Sequence, residues 1–256
     1  MDNSKKEKNP ITIHSVAKAM ELALILKDQR RPMSLNELAQ ACGYPKSTIY
    51  AILSTMRKYG FIQQKDSGKY FLGIGFFECG STVSESWDIT STARPHVRRL
   101  AVLSGSSAAL CYLSDESVIN TLYIPGGNDL QISIPKGLTL PLHATSQGKL
   151  LLSRYTNDEV REILKKTGMK DYSPHTITDM DELISELDNI RIQGYSTENG
   201  EYKIGLRTVS APVFDSSGNM THALSVMNLF RDTGDLFHKT IEMVVRTAET
   251  ITEELQ

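Results

Sequence analysis

Ser34-Leu35-Asn36-Glu37-Leu38-Ala39-Gln40-Ala41-Cys42-Gly43-Tyr44-Pro45-Lys46-Ser47-Thr48-Ile49-Tyr50-Ala51-Ile52-Leu53-Ser54-Thr55-Met56 reads as two helices and the tight turn between them. Ser34 can cap the amides of a first turn, and Glu37, three residues on, completes a capping box. Leu35, Leu38 and Ala39 form the apolar face of this short helix. Gly43 closes it in the left-handed conformation that glycine adopts without steric penalty. Pro45-Lys46-Ser47 opens the next helix, in which Ile49, Ile52, Leu53 and Met56 follow i, i+3, i+4, i+7 and face a core. Lys46, Ser47, Thr48, Tyr50, Ala51, Ser54 and Thr55 fall on the other faces.

Working outward, the spacing of Val16, Ala19, Ala23 and Leu26, with Leu22 beside them, predicts a helix over Ser15–Gln29. Ser15 is its expected N-cap, and Arg30-Arg31-Pro32 ends it, because proline disfavours helix in the residue before it. Downstream of Gly60, Phe61–Gln64 and Lys69–Leu72 read as short strands joined by Lys65-Asp66-Ser67-Gly68, which is hairpin chemistry. Three helices followed by a hairpin make a winged helix-turn-helix, whose third helix enters the major groove of DNA. Lys46, Ser47, Thr48, Tyr50 and Ser54 of that helix and Lys69 of the hairpin are candidate DNA contacts, being groups that bond phosphates and base edges. The charge distribution agrees. Residues 1–80 carry 12 Lys and Arg against 7 Asp and Glu, whereas residues 81–256 carry 16 against 23. The first part is suited to a polyanion and the second is not.

The rest of the chain changes texture. Ile74–Trp87 predicts a connecting helix, in which Phe76 and Phe77 pack on the winged domain or face a partner chain. Pro95 marks the start of the next helix. Ala108–Leu113, Val118–Ile124, Leu130–Ile134 and Leu138–Leu142 read as strands, and Ser146–Arg154, Asp158–Lys166 and Met180–Gln193 as helices. Arg207–Phe214 and Met220–Leu229 form a hairpin, and Asp235–Leu255 a long amphipathic helix. The expected fold class is α+β: an N-terminal winged helix-turn-helix and a C-terminal sensor-like domain with an antiparallel sheet. The expected boundaries are a flexible arm over 1–12, the winged domain over 13–73, a linker helix over 74–92 and the second domain over 93–256.

With 40% hydrophobic and 23% charged residues the chain reads as soluble and globular. No stretch is long enough and apolar enough to span a bilayer, and the polar N-terminus is not a secretory signal. Cys42, Cys79 and Cys111 are far apart and odd in number, so no disulfide framework or zinc ribbon is indicated, and buried thiols in a reducing cytoplasm are expected. His143, His175, His222 and His238 show no metal-ligand spacing, so no metal or other cofactor is expected.

Two sets of motifs resemble one family. Leu35-Asn36-Glu37-Leu38-Ala39, Gly43 to Tyr50, Gly60-Phe61 and Lys69-Tyr70-Phe71-Leu72-Gly73 are similar to the DNA-binding half of IclR transcription regulators. Leu142-His143-Ala144-Thr145-Ser146-Gln147-Gly148-Lys149, then Gly194 to Glu198, Gly205-Leu206-Arg207 and Ser210 to Asp215, resemble the effector half. The resemblance runs from about Ile13 to the end. It implies a GAF-like effector domain, a homodimer or tetramer, double-stranded operator DNA as partner, and control of catabolic or transport genes by a small organic acid. Carried over by position, the effector contacts are Ser146, Gln147, Gly148, Glu198, Leu206, Thr208, Ser225 and Met227. The amides of Ser146, Gln147 and Gly148 would receive an anion at a helix start. Three positions depart from the common pattern: Glu198 stands for the usual Asp, Thr208 for Cys and Met227 for Ser. The lost thiol argues against a metal-assisted site, and Met227 makes one wall apolar, pointing to a larger or less polar effector. Ala51 stands where the family usually has Arg, removing a DNA contact.

An enzyme is the alternative of a different class, but there is no G-x-S-x-G elbow and no phosphate-binding loop. Gly73-Ile74-Gly75 begins like a dinucleotide fingerprint and lacks the third glycine. A protein-interaction adaptor with a decayed DNA-binding module is the other alternative.

Overall fold

The Ser34 hydroxyl accepts from the Glu37 amide at 3.3 Å and Glu37 Oε2 accepts from the Ser34 amide at 2.8 Å, so the capping box is formed in the computed structural model. The structure describes residues 13–86, 88–114, 117–127, 139–229 and 234–256. They divide into two units, 1–86 and 87–256.

The first unit holds α1 (His14–Gln29), α2 (Leu35–Cys42), α3 (Lys46–Lys58), the hairpin β1 (Ile62–Gln64) and β2 (Tyr70–Leu72), and α4 (Ile74–Ser86). Its core is Leu22, Leu26, Met33, Leu38, Ile49, Leu53, Ile62 and Tyr70. A two-residue bridge from Met33 to Tyr70 lays the α1–α2 connection beside the hairpin. Three details of α1 differ from the sequence expectation. Ser15 does not cap the helix, which begins a residue earlier, after Ile13. Val16 is exposed, because the buried stripe is set by Leu22, Ala23 and Leu26. Arg30, in the left-handed region at φ 49°, makes the stop by donating its amide to Leu26.

Gly73 explains the Gly-x-Gly that begins like a nucleotide fingerprint. Its amide donates to Phe61 O at 2.7 Å, and a Cβ there would lie 2.1 Å from Gly60 O. Only a residue without a side chain lets the chain leave the wing this close to the end of α3. Beyond it, Phe76 packs edge-to-face on Phe61, with centroids 4.9 Å apart, while Phe77 is 71% exposed. Trp87 lies outside the described residues.

The second unit is built on an antiparallel sheet of six strands, β3 (Ser107–Leu113), β4 (Val118–Ile124), β5 (Thr139–Leu140), β6 (Ser196–Asn199), β7 (Leu206–Phe214) and β8 (Met220–Leu229), in the order β5-β4-β3-β8-β7-β6. The helices are α5 (Asp88–Ser104), α6 (Ser146–Leu152), α7 (Asn157–Thr167), α8 (Met180–Gln193) and α9 (Asp235–Leu255). Alternation along each strand divides the core. Ala109, Cys111, Leu206, Ala223 and Met227 join α6, α7 and α8 on one face. Ala108, Leu110, Val209, Ala211, Leu224 and Val226 join α5 and α9 on the other.

Pro95 does not start a helix but lies inside α5. Its ring removes one bond, to the carbonyl of Ser91, and both residues are exposed, so solvent can take up that carbonyl. β6 is a strand that the polar run Ser196–Asn199 did not suggest. Of the strand expected over Leu138–Leu142 only Thr139–Leu140 forms, with Leu138 outside the described residues, as is all of the strand expected over Leu130–Ile134. Burial pushes the Cys111 thiol up to about 12, but Cys42 is half-buried and Cys79 exposed, so only one of the thiols is the buried kind expected. Among the described residues no group of His, Cys, Asp and Glu could hold a metal ion, and no helix is long and apolar enough to cross a membrane.

Candidate functional site

In the first unit, Ile49 and Leu53 turn into the core, and Ile52 and Met56 pack against it. The opposite side of α3 presents Lys46, Ser47 and Tyr50, the last 55% exposed, with Thr48 and Ser54 half-buried at its margins. Lys69 is exposed beside the turn at the tip of the wing. Arg57 at the end of α3 donates to Gln64 Oε1 at 2.7 Å, and Gln64 Nε2 donates to Gly68 O at 3.0 Å. These bonds tie helix to wing and so fix the spacing of two surfaces that the sequence reading treated separately.

In the second unit, strand register collects the candidate effector residues. Glu198 pairs with Thr208 and Thr208 with Met227, while Ser196 pairs with Ser210 and Ser210 with Ser225. These are two rows, two residues apart, on the face that carries α6. The hydroxyls join. Ser146 Oγ is 2.6 Å from Thr208 Oγ1 and 2.7 Å from Ser210 Oγ, and Ser210 Oγ is 2.8 Å from Ser225 Oγ. Thr208 donates to Glu198 Oε2 at 3.1 Å, and the Tyr202 amide donates to Glu198 Oε1 at 3.1 Å. Each hydroxyl has one proton to give, so with Glu198 accepting the chain runs Ser225 to Ser210 to Ser146 to Thr208 to Glu198. Burial holds the Glu198 carboxyl above the usual range, at about 7, against hydrogen bonds from Tyr202 and Thr208 that lower it. Leu206 and Met227, both buried, flank this polar line.

Gly148 sits closely. A Cβ there would lie 2.3 Å from Leu142 O and 2.5 Å from Pro141 O, so the first turn of α6 is pressed on the preceding loop. The Thr145 hydroxyl accepts from the Gly148 amide at 3.1 Å. Of the three amides expected to receive an anion, this one is committed to the helix cap. The Gln147 side chain is buried, with its Oε1 3.4 Å from Ser146 Oγ.

Ser210, at the centre of the hydroxyl chain, was not among the candidates, nor was Ser196, whose Oγ donates to Ser146 O at 2.6 Å. Lys149 was also missed: it is 1% exposed, with Nζ 2.7 Å from Glu201 and 3.1 Å from Glu186. Burial raises the Glu201 carboxyl and the Lys149 charge opposes it. Ser173 donates to Gly200 O and Thr176 to Glu201 O, both at 2.6 Å, so the start of the β6–β7 loop is pinned.

A winged helix-turn-helix in one chain with an α+β domain holding a buried polar line defines a DNA-binding regulator with a sensory half. The chain belongs to the IclR family of transcriptional regulators. Residues 15–66 match the IclR helix-turn-helix domain, and residues 81–253 match the C-terminal domain of bacterial IclR transcriptional regulators. The chain is 32% identical over 251 residues to the transcriptional regulator KdgR of Dickeya chrysanthemi, covering 97% of this chain and 82% of that one. It is 28% identical over 224 residues to the transcriptional repressor AllR of Escherichia coli (strain K12), covering 87% and 83%. A crystal structure of an IclR transcriptional regulator from Alicyclobacillus acidocaldarius superposes with a TM-score of 0.82 at 25% identity, over 96% of this chain and all of that one. Members of the family regulate transcription and are not enzymes, which sets the enzyme alternative aside.

Proposed function

We propose that this protein is a cytoplasmic repressor of a catabolic or transport operon, which holds its operator as a dimer or dimer of dimers and changes its grip when a small organic acid binds the second unit. The observation that carries the reading is the buried chain of four hydroxyls ending on Glu198. Buried polar side chains are costly unless they are hydrogen-bonded, and a satisfied line of them fixes one arrangement of helix and sheet that a ligand can then switch. The carboxylate at its end does not exclude an anion. When Glu198 carries a proton it donates to Thr208, the chain reverses, and Ser225 gains a hydroxyl proton to offer a ligand carboxylate. Leu206 and Met227 supply the apolar wall, and Ser146 and Gln147 the amides at the helix start.

Lys46, Ser47, Thr48, Tyr50 and Ser54 meet the major groove, and Lys69 meets the phosphates from the wing. The exposed apolar side chains of Ile13, just before α1, of Val16, Met20 and Leu24 on α1 and of Phe77 on α4 are covered by a second copy. Pairing sets two recognition helices about 34 Å apart along the duplex.

Fluorescence anisotropy with DNA from the intergenic region beside the gene tests the reading. Full-length protein should bind, and a panel of organic acids should contain one that changes the affinity. Ser225→Ala should keep DNA binding and lose the response. A protein that binds no promoter-region DNA, or a response that Ser225→Ala leaves intact, overturns it.

A further inference from the structure

A cavity of about 310 Å³ opens beside the β5–α6 loop, and its lining includes His143, Lys170, Tyr172 and Tyr202, over an apolar base of Leu140 and Leu142. We propose that it is a second ligand site, separate from the hydroxyl chain, that takes a small ring-bearing carboxylate.

The walls argue for a ring. Tyr172 and Tyr202 meet edge-to-face, with centroids 5.2 Å apart and planes at 71°. Two rings at this angle make a corner, in which a flat ligand stacks on one face and meets the edge of the other. The volume is at the small end of ligand cavities, enough for a single ring and its substituents.

The charges argue for an anion. Aromatic corners also attract cations, but here Lys170 Nζ already lies 5.4 Å from the Tyr172 centroid and Lys203 Nζ 5.7 Å from that of Tyr202. A bound cation would be repelled by both. Lys170 has no acidic partner among the described residues, so its charge is available to a carboxylate. The phenol hydroxyls of Tyr172 and Tyr202 likewise have no hydrogen-bond partner among the described residues, and each can donate to the ligand.

The site is also built. His143 is buried, and its Nε2 donates to Lys170 O at 2.9 Å, which leaves Nδ1 as an acceptor on the neutral ring. The same bond holds the backbone of Lys170 against the loop. Tyr202 is fixed from behind, since its amide donates to Glu198. The occupied cavity would therefore touch the two supports of the hydroxyl chain, the Leu142–His143 loop packed on Gly148 and the Tyr202–Glu198 bond. That coupling rests on the function proposed above; occupancy of the cavity does not.

Calorimetric titration of the full-length protein tests the site, with benzoate and phenylacetate as ring acids, butyrate as the chain acid and benzylamine as the ring cation. The ring acids should bind at least about tenfold more tightly than the other two. Lys170→Met alters an exposed side chain and should keep the wild-type melting temperature, whereas Tyr172→Leu also removes a ring packed on Tyr202 and should lower it slightly; each should weaken the ring acids by about tenfold. Ser225→Ala, in the hydroxyl chain, should leave their affinity unchanged. The proposal is overturned if neither ring acid shows saturable binding up to about 10 mM. It is overturned equally if benzylamine binds as well as benzoate, or if Ser225→Ala removes binding that Lys170→Met preserves. Loss of the DNA response in Ser225→Ala with ring-acid binding intact would separate the two sites.

Discussion

The Ser146 hydroxyl lies 2.6 Å from that of Thr208, which ties the start of α6 to the middle of β7 across 62 positions of sequence. Ser146 is also 2.7 Å from Ser210, and its carbonyl accepts from Ser196, so one residue at a helix start is held by three others from β6 and β7. Any change in the spacing of helix and sheet must break or stretch these bonds. Under the function proposed above, a ligand acting on α6 would be felt by the sheet through Ser146.

Ser146→Ala should therefore separate binding from signalling. Removing the hydroxyl leaves Thr208 bonded to Glu198 and Ser210 bonded to Ser225, so the cost to stability should be modest, about 1–3 kcal/mol by denaturant titration. DNA affinity without effector should stay near wild type, and the response to an effector should fall. An unchanged response would remove Ser146 from the path.

Glu198 predicts a pH dependence. Its carboxyl is raised from 4.5 to about 7 in the folded chain, so between those values the native state holds a proton that the unfolded state has released. Stability from this group is fully present below about 4.5 and is lost as pH rises through about 7. His222 opposes the trend, since burial lowers it from 6.5 to about 4, and its contribution grows as pH rises over that range. Comparison with Glu198→Gln isolates the carboxyl. Wild type should lose up to about 3 kcal/mol relative to the variant between the two ends of the window. A difference that stays flat with pH would mean that Glu198 titrates as an ordinary carboxylate.

The winged half was legible because its signals are local. The capping box at Ser34 and Glu37, the glycine at 43 and the i, i+3, i+4 stripe of α3 each lie within one or two turns of helix. The effector half was legible by motif but not by geometry. Thr208 and Ser225 fall at positions the family resemblance marks, whereas Ser210 is found only through register, as the residue that pairs with Ser225 on one side and Ser196 on the other. β6 was missed because Ser196–Asn199 is short and polar, and it forms as an edge strand held by β7. Lys149 was missed because a lone lysine after a glycine gives no sign that it will be buried; its partners are 37 and 52 residues away.

The two faces of α3 should respond oppositely to truncation. Leu53 is fully buried in the first core, and Leu53→Ala should cost about 2–5 kcal/mol. Tyr50 is more than half exposed, so Tyr50→Ala should leave the melting temperature nearly unchanged and reduce operator affinity. If Tyr50→Ala unfolds the domain, its ring is part of the packing and the assigned recognition face is wrong. Wild-type affinity should also fall on the order of 10³-fold from 50 to 200 mM salt if about six phosphates are engaged.

Gly148→Ala tests the close approach at the start of α6. The added methyl would meet backbone oxygens of Pro141 and Leu142, which cannot rotate away as a side-chain end can. The expected cost is about 1–3 kcal/mol, with larger values if the loop cannot shift. A fully stable Gly148→Ala protein would show that the loop moves freely against α6.

The first helix carries an apolar stripe that faces water. Ile13, Val16, Met20 and Leu24 are exposed, while Leu22, Ala23 and Leu26 on the other side are buried. Their spacing of three or four residues places them along one side of the helix, and a stripe of this kind facing water is the usual mark of a partner surface. Under the function proposed above the occupant is a second copy, since one winged domain reads only a short half-site and a pair reads two. Met20→Glu and Leu24→Glu replace exposed side chains and should leave the isolated fold intact, as judged by circular dichroism. In sedimentation equilibrium at micromolar concentration they should convert the assembly toward monomer. Operator affinity should fall with them although neither residue lies on α3, and a half-site duplex should be bound by variant and wild type alike. A wild-type protein that sediments as a monomer, or a double variant that keeps both its assembly and its operator affinity, would show that α1 does not pair the chains.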